Sequence, residues 1–122
     1  MTTKKILVVD DEEFVCQAVA SILKRAGYVP IYTCDSKAVI ELAKTELPDL
    51  LLLDLNIPDM SGFDVEEALN GDAATREMPI IFLTGLLNKD EEEYFRENYP
   101  GKFFLAKPLD TAALLEAIRQ RL

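Results

Sequence analysis

Hydrophobic residues along this chain gather in short unbroken runs: Ile6-Leu7-Val8-Val9, Leu50-Leu51-Leu52-Leu53, Ile80-Ile81-Phe82-Leu83 and Phe103-Phe104-Leu105. None alternates as a strand with one wet face would. Continuous runs of this length predict strands covered on both sides, as in a parallel sheet. A fifth run, residues 29–33, contains Pro30, which has no N–H for a ladder, so it belongs at a sheet edge.

Helical spacing fills the intervals. Residues 12–26 place Val15, Val19, Ile22 and Ala26 on one stripe, with Gly27 as the stop. Residues 36–46 read as a helix with Ser36 as N-cap, Ala38, Leu42 and Ala43 inward and Pro48 beyond its end. A third helix covers 62–69 and halts at Asn70-Gly71. A fourth, at 88–98, has Asp90-Glu91-Glu92-Glu93 followed by Tyr94 and Phe95, and its thin apolar stripe predicts the loosest packing of the set. A fifth follows Asp110 and carries Ala113, Leu114, Ala117, Ile118 and Leu122. Strand and helix thus alternate five times, which predicts an α/β domain with helices on both faces of a five-stranded parallel sheet.

With 122 residues the chain has the length of one domain, and 49% hydrophobic with 29% charged residues is a globular composition. The net charge of -9 argues against a binder of nucleic acid or of an anionic membrane, both of which need a basic face. Histidine is absent, so imidazole catalysis, imidazole metal ligation and histidine phosphorylation within this chain are excluded. Cys16 and Cys34 lack metal-type spacing and read as free thiols of a reducing compartment. The apolar stretch after Lys5 is too short for a signal peptide or membrane span, and the expected location is cytoplasmic.

In such sheets function lies beyond the carboxyl ends of the strands. Those ends carry Asp10-Asp11, Asp54, Thr84 and Lys107. Two carboxylates about 4 Å apart repel by about 1 kcal/mol even in bulk water, so the cluster calls for a cation or a shifted pKa. Oxygen donors suit Mg2+ or Mn2+. An acidic metal site beside a lysine and a threonine can also receive a phosphoryl group, and an aspartate can be the nucleophile that takes it. Asp10 and Asp11 equally suit the N-terminus of the first helix.

Four segments in order, residues 8–12 (Val-Val-Asp-Asp-Glu), 52–62 (Leu-Leu-Asp-Leu-Asn-Ile-Pro-Asp-Met-Ser-Gly), 81–85 (Ile-Phe-Leu-Thr-Gly) and 104–108 (Phe-Leu-Ala-Lys-Pro), closely resemble the receiver domain of two-component response regulators, chemotaxis-type single-domain regulators in particular. Thr84 stands 30 residues after Asp54 and Lys107 stands 53 after it, the spacing that family requires. The resemblance implies one receiver domain over residues 1–122, with the flavodoxin-like doubly wound (βα)5 fold and strand order 2-1-3-4-5. It implies Asp54 as phosphoacceptor, with Mg2+ (or Mn2+) held by Asp10, Asp11, Asp54 and the backbone carbonyl of Asn56. Lys107 would contact the phosphoryl group, Thr84 would hydrogen-bond it, and Lys107-Pro108 matches the family's cis peptide. Phe104 matches the aromatic switch position, without the hydroxyl a tyrosine would bring, and would turn inward as Thr84 and the loop after it move toward phosphate. Gly85 stands where alanine is commoner in the family.

The implied function is a phosphorylation-dependent signalling switch that catalyses only its own phosphorylation and dephosphorylation. Implied partners are a sensor histidine kinase or histidine phosphotransfer protein and a downstream target or tethered effector, with neither nucleic acid nor membrane bound directly. A homodimer through the face of the fourth helix, last strand and fifth helix would use Glu91–Glu93, Arg119 and Arg121. Three alternatives stand beside this. A haloacid-dehalogenase-type Mg2+ phosphatase needs an aspartate two residues after its nucleophile, where this chain has Asn56. A flavodoxin-like cofactor binder needs a phosphate loop where Asp10-Asp11-Glu12-Glu13 would repel phosphate. The third is a receiver-like interaction module that is never phosphorylated.

Overall fold

The computed structural model describes residues 3–85, 89–107 and 110–122. In chain order the elements are β1 (Lys5–Val9), α1 (Glu13–Arg25), β2 (Val29–Thr33), α2 (Ser36–Glu46), β3 (Leu50–Asp54), β4 (Asn56–Ile57), β5 (Met60–Ser61), α3 (Gly62–Asn70), β6 (Ile80–Thr84), α4 (Lys89–Asn98), β7 (Phe103–Ala106) and α5 (Thr111–Arg121). Five strands form a parallel sheet in the order β2-β1-β3-β6-β7. With the short antiparallel β4–β5 hairpin set aside, this is the expected 2-1-3-4-5 order. The proline-bearing strand β2 lies at the edge, Pro30 opposite Ile6.

Side chains of a strand point to alternate faces, so each continuous run feeds two cores. Ile6, Val8, Leu50, Leu52, Ile81 and Leu83 meet Cys16, Val19 and Leu23 of α1 and Leu114, Ala117 and Ile118 of α5. Leu7, Val9, Leu51, Leu53 and Phe82 meet Val39 and Ala43 of α2 and Val65 and Leu69 of α3, with Phe95 of α4 at the margin. Burial on both faces is why the runs show no alternation.

The helices hold several corrections. The buried arc of α1 is Cys16, Val19 and Leu23, while Val15 and Ile22 flank it half-buried and Ala26 is the exposed C-cap. Gly27, one position later, takes the left-handed conformation at φ 94° that ends the helix. The N-cap of α2 is Asp35, whose carboxylate accepts from the Lys37 amide at 2.9 Å, and Ser36 is instead the buried first helical residue. Its core contacts come from Val39 and Ala43, with Ala38 and Leu42 only half-buried. On α5, Ala113 and Leu122 face solvent.

Helix α4 has no fully buried residue among those described, and Phe95 is its inward side chain. The α5 arginines are engaged within the chain: Arg119 pairs with Glu116 at 2.7 Å, and the Arg121 guanidinium lies 3.1 Å from the centre of the Phe103 ring. Both cysteines are free. Burial, reinforced by neighbouring Cys34, pushes the Cys16 thiol up to about 12, so it remains protonated at neutral pH.

Candidate functional site

Parallel strands in register bring their carboxyl ends to one rim. Val9 lies opposite both Thr33 and Leu53, Asp54 opposite Leu83, and Thr84 opposite Ala106. The next residues therefore converge: Asp10 after β1, Asp54 closing β3, Thr84 closing β6 and Lys107 after β7. Asp10, Asp54 and Thr84 are buried, and Asp11 is exposed beside them.

Asp10 and Asp54 are held by the same device. One oxygen of each accepts the backbone amide two residues on, Glu12 N to Asp10 Oδ1 and Asn56 N to Asp54 Oδ1, both at 3.0 Å. Such turns fix a carboxylate relative to its own backbone. The other oxygen of each receives Lys107, whose ammonium donates to Asp10 Oδ2 and, at 2.9 Å, to Asp54 Oδ2. Partial burial works against the lysine's charge, but hydrogen bonds and attraction from Asp10 and Asp54 outweigh it and hold its pKa above the ordinary value. The cation that the acidic cluster demands is thus supplied in part by the chain. The Lys107 amide also donates to the Thr84 carbonyl at 2.7 Å, which locks β7 to β6 at the rim.

Helix capping does not account for the acids. The N-cap of α1 is Glu12, without a side-chain cap bond, and the Asp10 carboxylate serves its own turn. Oxygens from Asp10, Asp11 and Asp54 lie within 4.8 Å of one another, a spacing and donor set that fit a hard divalent cation. Asn56 begins the β4–β5 hairpin directly after this cluster.

That hairpin was not legible as an element. Two-residue strands are too short to show alternation, although Pro58-Asp59 is a turn signal. Asp59 adopts a left-handed φ of 71° at its tip. Ser61 then caps α3, accepting from the Asp64 amide at 3.2 Å while Asp64 accepts from the Ser61 amide at 3.3 Å. Gly62 is required by contact: a Cβ there would lie 3.0 Å from the Asp54 carbonyl oxygen and 3.1 Å from Leu55 Cα. Gly85, by contrast, has open space around it, so alanine would fit.

Phe104 is half-buried in an aromatic cluster that only the fold assembles. Its ring stacks on Phe95 of α4 at 4.7 Å and on Phe82 of β6 at 5.5 Å, and Phe63 of α3 meets it edge-on at 6.3 Å. Phe63 in turn stacks on Tyr99 at 4.5 Å. Any inward turn therefore starts from a ring already packed among neighbours. The expected cis peptide at Lys107-Pro108 and the moving loop after Gly85 involve Pro108 and residues 86–88, outside the described residues.

Comparison with known proteins meets this geometry. Residues 6–119 match the family model for the response regulator receiver domain. The chain belongs to that family. This receiver is 29% identical over 120 residues to the polar-differentiation response regulator DivK of Brucella ovis, covering 98% of this chain and 97% of the relative. Among solved structures it is similar to the chemotaxis protein CheY4 of Vibrio cholerae, with a TM-score of 0.86, 26% identity, and coverage of 99% and 100% of the two chains. It is also similar to the N-terminal domain of a response regulator receiver protein from Methanoculleus marisnigri, with a TM-score of 0.74, 31% identity, and coverage of 98% and 96%.

Receivers are signalling proteins rather than enzymes with a separate substrate. They interact with histidine kinases, phosphotransfer proteins and downstream targets. Membership therefore implies phosphorylation-dependent signalling for this chain and leaves the phosphatase and flavin-binding alternatives unsupported. No described helix is long and apolar enough to cross a membrane.

Proposed function

We propose that this receiver accepts a phosphoryl group on Asp54 from the phosphohistidine of a partner kinase or phosphotransfer protein, or from a small acyl phosphate. It then hydrolyses the resulting aspartyl phosphate itself. The observation that carries the reading is the shared grip of Lys107 on Asp54 and Asp10 beside the three-carboxylate cluster. Asp54 supplies the attacking carboxylate oxygen, with Oδ1 accepting from the Asn56 amide and Oδ2 from the Lys107 ammonium. Attack forms the Asp54 oxygen–phosphorus bond and breaks the donor's bond to phosphorus, so the donor leaves with its electron pair.

Asp10, Asp11, Asp54 and the Asn56 backbone carbonyl would hold Mg2+ or Mn2+, which when bound supplies positive charge against the negative charge of the transferring group. Lys107, which donates to Asp54 Oδ2, would follow the incoming phosphoryl oxygens, and the Thr84 hydroxyl, one strand away at the same rim, would take another. New charge at this point would draw Thr84 and the following loop inward. Phe104, in contact with rings of α3, β6 and α4, would carry the change to the α4–β7–α5 face, where a downstream target or a second copy would read it.

Incubation with Mg2+ and acetyl phosphate, followed by intact-mass measurement, tests the reading. A phosphate-sized gain that disappears in Asp54→Asn and on chelation is expected. No gain in the parent, or the same gain in Asp54→Asn, would overturn it.

A further inference from the structure

Beyond the strand ends, Ser36 and Thr75 are the buried polar residues among those described. Thr75 serves a local turn, donating to the Leu69 carbonyl at 2.7 Å. Ser36 does something else. Its hydroxyl leaves α2 and donates to the carbonyl of Pro58, 22 residues later, at 3.0 Å. Helix α2 has no need of it, because Asp35 already caps the helix.

The acceptor is the informative partner. Pro58 opens the turn of the β4–β5 hairpin and has no amide hydrogen of its own, so its carbonyl is that residue's one backbone hydrogen-bonding group. The next residue, Asp59, is held left-handed, a conformation that costs a non-glycine residue about 1 kcal/mol or more. A hairpin of two residue pairs is marginal alone. Its root is fixed by the Asn56 amide on Asp54, and its far side by the Ser61 cap and the close approach of Gly62. Ser36 fixes the tip. The corner that carries Ser36 is itself tied to the acidic cluster, since the Thr33 carbonyl accepts from the Asp10 amide at 3.4 Å and the Thr33 hydroxyl accepts from the Asp35 amide at 3.1 Å.

We infer that Ser36 is a positioning residue for the divalent cation: by anchoring Pro58 it fixes the hairpin that begins at Asn56, whose backbone carbonyl is the proposed ligand beside Asp10, Asp11 and Asp54. This rests on the proposed metal site. Losing one net hydrogen bond that acts on the bound geometry corresponds to about a fivefold weaker affinity.

Calorimetric titration of the metal-free chain with MgCl2 separates the two readings, using the parent, Ser36→Ala, Ser36→Gly and Asp11→Asn. The expected result is about fivefold weaker binding in both Ser36 variants, near-complete loss in Asp11→Asn, and faster amide exchange at residues 56–61 of the metal-free Ser36 variants with α5 unchanged. A purely structural serine would lower the melting temperature and leave Mg2+ affinity at the parent value. That result, with Asp11→Asn still defective, would overturn the role of Ser36 alone. Absence of Mg2+ binding in the parent, or parent-like binding in Asp11→Asn, would overturn the metal site and the inference with it.

Discussion

The two halves of the rim are built differently. On the β1–β3 side, Asp10 and Asp54 sit on buried central strands, each carboxylate turned back on its own backbone, and the hairpin after Asp54 is pinned by Ser36, Ser61 and Gly62. On the β6–β7 side, Thr84 and Lys107 flank an edge strand, and the adjoining α4 is attached through Phe95 and the rings around it. Hydrogen bonds with narrow geometry hold the first half. In the second, the Lys107 amide ties β7 to β6, while α4 is attached through stacked and tilted ring contacts. A site that must both bind in one geometry and transmit a change gains from this division, because the binding half need not move when the other does.

The largest expected effect attacks the pinned half. Gly62→Ala forces a Cβ against the Asp54 carbonyl and should destabilise the fold by about 1–3 kcal/mol, measured by urea denaturation, while also lowering the phosphorylation rate. Parent-like stability would show that the hairpin can retreat and is less fixed than its contacts imply.

Phe95→Ala attacks the other half and should cost less, about 1–2 kcal/mol, because the ring is half-buried. Its signature is local: amide exchange accelerates along α4 and β7 but not in the hairpin. Uniform acceleration would mean that the halves are not separable.

Lys107 bridges them, and pH sharpens its share. Its folded pKa lies above the ordinary 10.5, so its stabilisation is complete below that value and fades as pH rises through the elevated one. The stability difference between the parent and Lys107→Met should therefore be flat from about pH 7 to about pH 9 and shrink above the ordinary lysine value. A difference that already shrinks near neutrality would place the lysine's titration elsewhere.

Much of this was written in the chain. The four apolar runs betray strands buried on both faces, Pro30 marks the edge, and Asp10, Asp11, Asp54, Thr84 and Lys107 follow because parallel strands end at one rim. The reading failed where local signals compete. Asp35 and Ser36 are both good caps, and only the reach to Pro58 shows why the serine lies inside. The stripe of α1 is one residue off because Cys16 packs as a small hydrophobe among larger ones. Phe63, Phe95, Tyr99 and Phe104 come from three segments, and no periodicity announces that they meet.

The alternation that places odd and even strand residues on opposite faces has one more consequence. The sheet works as a party wall between two compartments with no residue in common, one lined by α1 and α5, the other by α2, α3 and the aromatic rings. The buried polar groups of the rim, Asp10, Asp54 and Thr84, belong to neither. Strand β7 borders both, with Phe104 on the aromatic side and Phe103 and Leu105 on the other, so a disturbance that reaches this strand touches both sides of the wall at once.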